Sequence, residues 1–152
     1  MAAALATLLP LLLAVSPAAA SMSGSEQRLA DALFAQLNIE RAARGLPALS
    51  PDASMSGATN RWADRLQSDG YLSHSSDGRA EIIAYGYNTG QVTEAWMRSS
   101  GHRNLITDPN LVPASVGVTC DRDGRMWAVV QFRRLDTSKS TQASSPTTPR
   151  ET

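Results

Sequence analysis

His74 and His102 are the only imidazoles in the 152 residues, so any imidazole-based catalysis or ligation runs through one or both. At neutral pH an unperturbed imidazole is mostly uncharged and offers a nitrogen lone pair to a metal or a proton. Acids lie near each: Glu81 follows His74 by seven residues, and Glu94 precedes His102 by eight. If the fold brings these segments together, two imidazoles and one or two carboxylates face one cleft. Such a set suits a divalent metal, since an open zinc site takes three protein ligands from His and Asp or Glu and leaves a position for water or ligand. The spacing alone is a weak pointer, because a solitary histidine is more commonly solvated or packed in the core than metal-bound.

Other chemistries have less to work with. The chain has no Gly-x-Ser-x-Gly elbow, no His-Glu-x-x-His helix, no phosphate-binding loop and no Cys-x-x-Cys. Cys120 is the only cysteine, so no internal disulfide can form, and its place in the middle of an expected strand reads as a buried thiol rather than a nucleophile. Serines are abundant, but an activated serine needs a base and an orienting acid that sequence does not supply. Fourteen basic residues balance fourteen acidic ones, with no basic run to meet a phosphate backbone, which argues against nucleic acid as a partner.

The elements that must position the histidines fit one domain. Residues Met1 to Ala20 carry no charged side chain, are apolar from Leu5 to Val15 and end in Ala18-Ala19-Ala20, the pattern of a signal peptide cut after Ala20. The apolar run is shorter than the ~20 residues that span a bilayer, so no stable membrane span is expected after cleavage. Asp136 to Thr152 is Ser, Thr and Pro without apolar periodicity and reads as a disordered tail. The remaining roughly 110 residues suffice for a single core.

Ser23-Gly24-Ser25-Glu26 offers a capping box, after which Leu29, Leu33 and Leu37 recur at helical spacing until Gly45. Ser50-Pro51-Asp52 reads as an N-cap, a first-turn proline and a first-turn acid, opening a second helix with Met55, Thr59, Trp62 and Leu66 on one face and Gly70 at its end. His74 to Gly78 reads as loop and Glu81 to Tyr87 as a short extended piece. A third helix is expected over Gln91 to Arg98, closed by Ser99-Ser100-Gly101. Two β-patterned stretches then flank Asp121-Arg122-Asp123-Gly124, a hairpin cue. In the second, Met126, Ala128, Val130 and Phe132 alternate with Trp127 and Val129, so both faces of that strand should be covered by helices.

Several of these stretches together resemble one family. Asn38-x-x-Arg41 with Gly45-Leu46-x-x-Leu49, then Trp62-Ala63-Asp64 leading to Gly70-Tyr71-Leu72-Ser73-His74-Ser75, are similar to the opening of bacterial CAP domains. Trp96-Met97-Arg98-Ser99-Ser100-Gly101-His102-Arg103 resembles the Trp-Met-x-Ser-x-Gly-His-Arg signature of that family, and Val116-Gly117-Val118 with Trp127 to Phe132 its closing strands. The likeness runs from about Leu29 to Arg134 and is to the CAP superfamily, the cysteine-rich secretory, antigen 5 and pathogenesis-related proteins, in its bacterial extracellular branch.

The resemblance implies an α+β fold: a three-layer α-β-α sandwich with a central, mainly antiparallel sheet, here a CAP domain over 25–135. It also implies a cleft with two His and two Glu, in which His74, Glu81 and His102 hold three positions. Two departures stand out. Ile82 follows Glu81 where family members usually have Asn, and Ser99 stands where the second Glu commonly lies, leaving Glu94 as the nearby carboxylate. The family is linked to zinc or other divalent-metal binding, to sterol and lipid binding and, with the least support, to proteolysis. The expectation is therefore a secreted, monomeric module with a metal set of His74, Glu81, His102 and Glu94, zinc or another divalent ion as cofactor, and a small or lipid-like ligand. The alternatives are a metal-assisted hydrolase of peptides or cell-wall material and a non-catalytic partner-binding domain.

Overall fold

The structure, a computed structural model, describes residues 21–135; the expected leader (1–20) and tail (136–152) lie outside the described residues. The first helix, α1 (Gly24–Ala42), starts as its sequence dictates. Ser23 and Glu26 form a reciprocal capping box that occupies amide donors the first turn cannot pair internally. Residues Leu33 and Leu37, one helical turn apart, are fully buried on its inner face.

Helix α1 ends over a loop that its own side chains hold down. Asn38 Oδ1 accepts from the Leu49 N–H (2.7 Å), and the buried Arg41 guanidinium donates to the carbonyls of Pro47 (2.7 Å), Ile106 (2.7 Å) and Asp108 (2.9 Å). The Asn-x-x-Arg spacing thus ties the end of α1 to two separate loops. It is a structural clamp, because each of those carbonyls needs a donor once water is excluded.

The second helix, α2 (Ala53–Asp69), begins two residues later than its sequence suggests. Asp52 is the N-cap, accepting from the Ser54 N–H (3.0 Å), while Ser50–Pro51 form the short strand β1. Proline lacks the N–H that a central strand would need, but β1 lies on the edge of the sheet, where that loss is tolerated. Gly70 closes α2 in the left-handed region (φ 74°) that glycine adopts without strain.

Strand β2 (Ala80–Gly86), helix α3 (Thr89–Arg98), helix α4 (Ser100–Ile106), and strands β3 (Leu111–Cys120) and β4 (Met126–Arg134) complete the domain. Helix α4 was not expected: Ser99 ends α3 and, being in extended conformation, caps the next helix instead of starting a loop. The sheet order is β1-β3-β4-β2, with β1 parallel to β3 and the other pairs antiparallel.

Both faces of β4 are covered, as its apolar residues on both faces require. Met126, Ala128, Val130 and Phe132 pack with Leu33 and Leu37 of α1, Val92 and Trp96 of α3, and Ile106 of α4. Trp127 and Val129 pack on Ala63 and Leu66 of α2. The result is the three-layer sandwich. Helix α2 crosses β3 so closely that a Cβ at Gly117 would sit 2.6 Å from the Thr59 carbonyl oxygen. Only glycine permits that approach.

Candidate functional site

Strand alternation decides what faces the α2 layer. Glu81 points to that side and Ile82 to the opposite core, where it is fully buried, so Ile82 takes nothing from the cleft. Opposite Glu81 in the ladder is Gln131, itself opposite Ser115 on β3. Gln131 is fully buried. It is the one polar residue in an otherwise apolar run from Met126 to Phe132, a signal that the sequence carried and that marks it in retrospect.

These residues form a connected polar network. Glu81, 6% exposed, accepts four hydrogen bonds. His74 Nδ1 (2.9 Å) and the Ser75 N–H (2.9 Å) donate to Oε1, and Ser75 Oγ (2.7 Å) and Gln131 Nε2 (3.0 Å) donate to Oε2. Gln131 Nε2 also reaches Asp77 Oδ2 (3.0 Å), and its Oε1 accepts from the Thr59 hydroxyl (3.1 Å). Arg79 pairs with Asp77. Burial works against ionisation of Asp77, but donors from Arg79, Ser75 and Gln131 together with the Arg79 charge hold its carboxyl below the usual range.

His74 is placed by this network and by Trp62, whose indole N–H donates to the Ser73 carbonyl (3.1 Å) just before it. Its side chain is 60% exposed, so the ring meets solvent while one edge is tied to a buried carboxylate. Since a carboxylate only accepts, Nδ1 carries the proton in the neutral ring and Nε2 presents its lone pair. His102 sits in the first turn of α4, its N–H donating to the capping Ser99 hydroxyl (3.5 Å). Ser99, where the resemblance implied a second glutamate, therefore serves as a helix cap. Burial lowers the His102 pKa, and the charge on a protonated His74 lowers it further.

Glu94 is placed differently. Trp96 turns the inner face of α3 to the core, with its indole N–H on the Ile83 carbonyl (3.1 Å), and Glu94 lies on the exposed face, its carboxylate on Arg98 (2.5 Å). It borders a depression between α1 and α3 with Ile39 and Met97. Among the described residues no three His, Cys, Asp or Glu side chains form a group able to hold a metal ion. The reason is visible in the donors: both oxygens of Glu81 are committed within the protein, and Glu94 faces solvent. A zinc centre with three protein ligands drawn from His74, Glu81, His102 and Glu94 does not fit this arrangement.

The sequence model of the cysteine-rich secretory protein family, CAP, matches residues 34–132, which span the clamp, both histidines and the closing strands. This chain belongs to the CAP family. Solved CAP-type structures share its fold at low identity. An outer surface protein of Borrelia burgdorferi superposes with a TM-score of 0.62 at 16% identity, covering 74% of this chain and 95% of that one. An extracellular SCP-domain protein of Bacillus anthracis gives a TM-score of 0.62 at 18% identity, covering 75% of this chain and 45% of its own length. The protein MpPR-1i gives 0.58 at 17% identity, covering 78% of this chain and 96% of that one. No curated protein sequence matches the chain. Among the described residues of this CAP domain no helix is long and apolar enough to cross a membrane.

Proposed function

We propose that this CAP domain is a secreted, monomeric binding module whose working cleft is the His74–His102 pair, with Glu81 orienting His74 instead of ligating. The observation that carries this reading is the 2.9 Å bond from His74 Nδ1 to a buried carboxylate whose other acceptor positions are filled. Carboxylate-to-histidine bonds of this kind fix the tautomer and the orientation of the ring. Burial and the His74 charge lower the pKa of His102, which favours its neutral, lone-pair-bearing form.

A divalent ion such as zinc would be held by the two imidazole nitrogens, with its other positions left to water or to an oxygen-bearing small or lipid-like ligand. Two protein ligands make a weaker and more exchangeable site than the three of a catalytic zinc centre. The ion would supply a Lewis-acid anchor for the ligand. Export is supported by the leader-like segment from Met1 to Ala20 and by neighbours described as extracellular or outer-surface proteins.

Calorimetric zinc titration of the protein against a His74→Ala/His102→Ala double variant tests the reading. Binding by the parent and its loss in the variant support it. Equal binding in both, or none in either, removes the metal from the proposal.

A further inference from the structure

A second site lies on the opposite flank of α2. Strand β1 pairs with β3 only at Pro113 and Ala114, so from Ser115 onward the outer edge of β3 has no strand neighbour among the described residues. Three bonds show which backbone groups face that edge. The Ala114 carbonyl accepts from the Asp52 N–H (2.8 Å), the Val118 N–H donates to Met22 Sδ (3.3 Å), and the Cys120 N–H donates to Glu26 Oε1 (2.9 Å). Alternation along the strand puts the N–H and C=O of Val116 on the same side, between β1 and Met22. At that point a cavity of about 450 Å³ opens between α1 and α2, with Val116 on its floor.

Its walls differ in character. Helix α1 contributes Phe34 and Ala35, helix α2 contributes Ser56, and the ionisable groups that line it are Asp31 and Asp52. Asp52 is paired with Arg133 (2.7 Å), whereas Asp31 is met by the neutral amide of Gln27 (2.8 Å). A slot with backbone donors and acceptors on its floor and, on its rim, one carboxylate with no ion-pair partner among the described residues is shaped for main chain and for a cation.

We propose that this slot captures an extended peptide, which adds to the edge of β3 at Val116 and places a basic side chain against Asp31. Main-chain hydrogen bonds supply affinity in such strand addition, and alternate side chains supply selectivity. Here one set of alternate residues meets the apolar and acidic α1 wall, and the other meets Ser56 and must be small. This site is independent of the histidine cleft, and its occupant does not depend on a metal.

The probe is acetyl-Val-Ser-Arg-Ser-Val-amide, titrated into the full chain while backbone amide exchange is followed by NMR. At saturation the Val116 amide should exchange at least tenfold more slowly. The same peptide N-methylated at its central residues should bind at least tenfold more weakly, and Asp31→Asn should weaken binding severalfold. Ala35→Trp and, separately, Ser56→Trp fill the slot from exposed or half-buried positions and should abolish binding while the thermal transition stays in place. The proposal is overturned if the probe does not bind, if N-methylation changes nothing, or if Val116 exchange is unaffected. Strong protection of Val116 in the free chain would also overturn it, since the edge would then already be occupied.

Discussion

Replacing Glu81 separates an orienting carboxylate from a metal-ligating one. Glu81→Ala removes the acceptor for four donors. His74 is largely exposed and can turn to water, and Ser75 Oγ keeps Asp77 Oδ1 as a partner (3.1 Å). Gln131 Nε2 likewise retains Asp77. The groups that lose most are the Ser75 N–H and one proton of Gln131. At about 1–3 kcal/mol for each of these two donors left unmade, the loss is about 2–6 kcal/mol, a large part of a typical domain stability of roughly 5–15 kcal/mol. Glu81→Gln differs: its amide oxygen can keep His74 and the Ser75 N–H if the Gln131 amide turns over, so the contacts to His74 and Ser75 survive while the charge and the Gln131–Asp77 bond are lost. We expect a loss of about 1 kcal/mol there. Zinc affinity should fall by about 10- to 100-fold in Glu81→Gln, the range seen when outer-shell partners of a metal-binding histidine are changed. Urea unfolding gives the stabilities, the ¹⁵N shifts of His74 give its tautomer, and calorimetry gives the affinities. The orienting role is refuted if His74 carries its proton on Nε2 in the parent protein. It is refuted equally if Glu81→Ala unfolds at the parent's midpoint, or if Glu81→Gln abolishes zinc binding as completely as the double histidine variant.

Three further perturbations test how the scaffold holds the site. Gly117→Ala places a Cβ 2.6 Å from the Thr59 carbonyl, so α2 must move; a loss of about 1–3 kcal/mol in urea unfolding is expected, with shifted Gln131 side-chain amide resonances because Thr59 holds that group. Arg41→Met keeps the apolar stem but strips donors from three carbonyls; a loss of about 3 kcal/mol or more is expected, read as a lower thermal midpoint. The pH dependence follows from His102, whose folded pKa lies below its ordinary 6.5, so the unfolded chain takes up the proton first. Stability from this source is therefore complete above pH 6.5 and declines as the pH falls through that value, and His102→Gln should flatten the metal-free urea midpoint between pH 7.5 and 5.5.

The layers could be read from the sequence where one pattern allows one answer. Apolar residues on both faces of Met126 to Phe132 demand helices on both sides, and the two core clusters supply them. The boundaries at Ser50 and Ser99 could not be read in the same way. Ser50-Pro51-Asp52 offers two residues able to cap a helix. The choice between them is made by β3, which draws Ser50–Pro51 into pairing and leaves the cap to Asp52. At Ser99 a run of small polar residues reads equally as loop or cap, and the packing of Ile106 into the core selects the cap.

The site shows the same division between local and long-range information. Sequence marks His74 and His102 because they are the only imidazoles, and Glu81 because of its interval from His74. The family resemblance sets Ile82 after Glu81 where an Asn is usual, which would take a polar partner from Glu81. That inference fails because successive strand residues face opposite layers, so the residue after Glu81 has no access to its carboxylate. The partners come from Ser75 in the preceding loop and from Gln131, 50 residues later but directly opposite in the β2–β4 ladder. A buried carboxylate must find donors somewhere. A glutamine placed among the apolar residues of a central strand is the sequence feature that tells where. The consequence reaches the chemistry: once Gln131 and Ser75 fill the remaining lone-pair positions of Glu81, that carboxylate is no longer free to ligate. In the proposed binding reading, the imidazoles are then the groups left to meet a ligand.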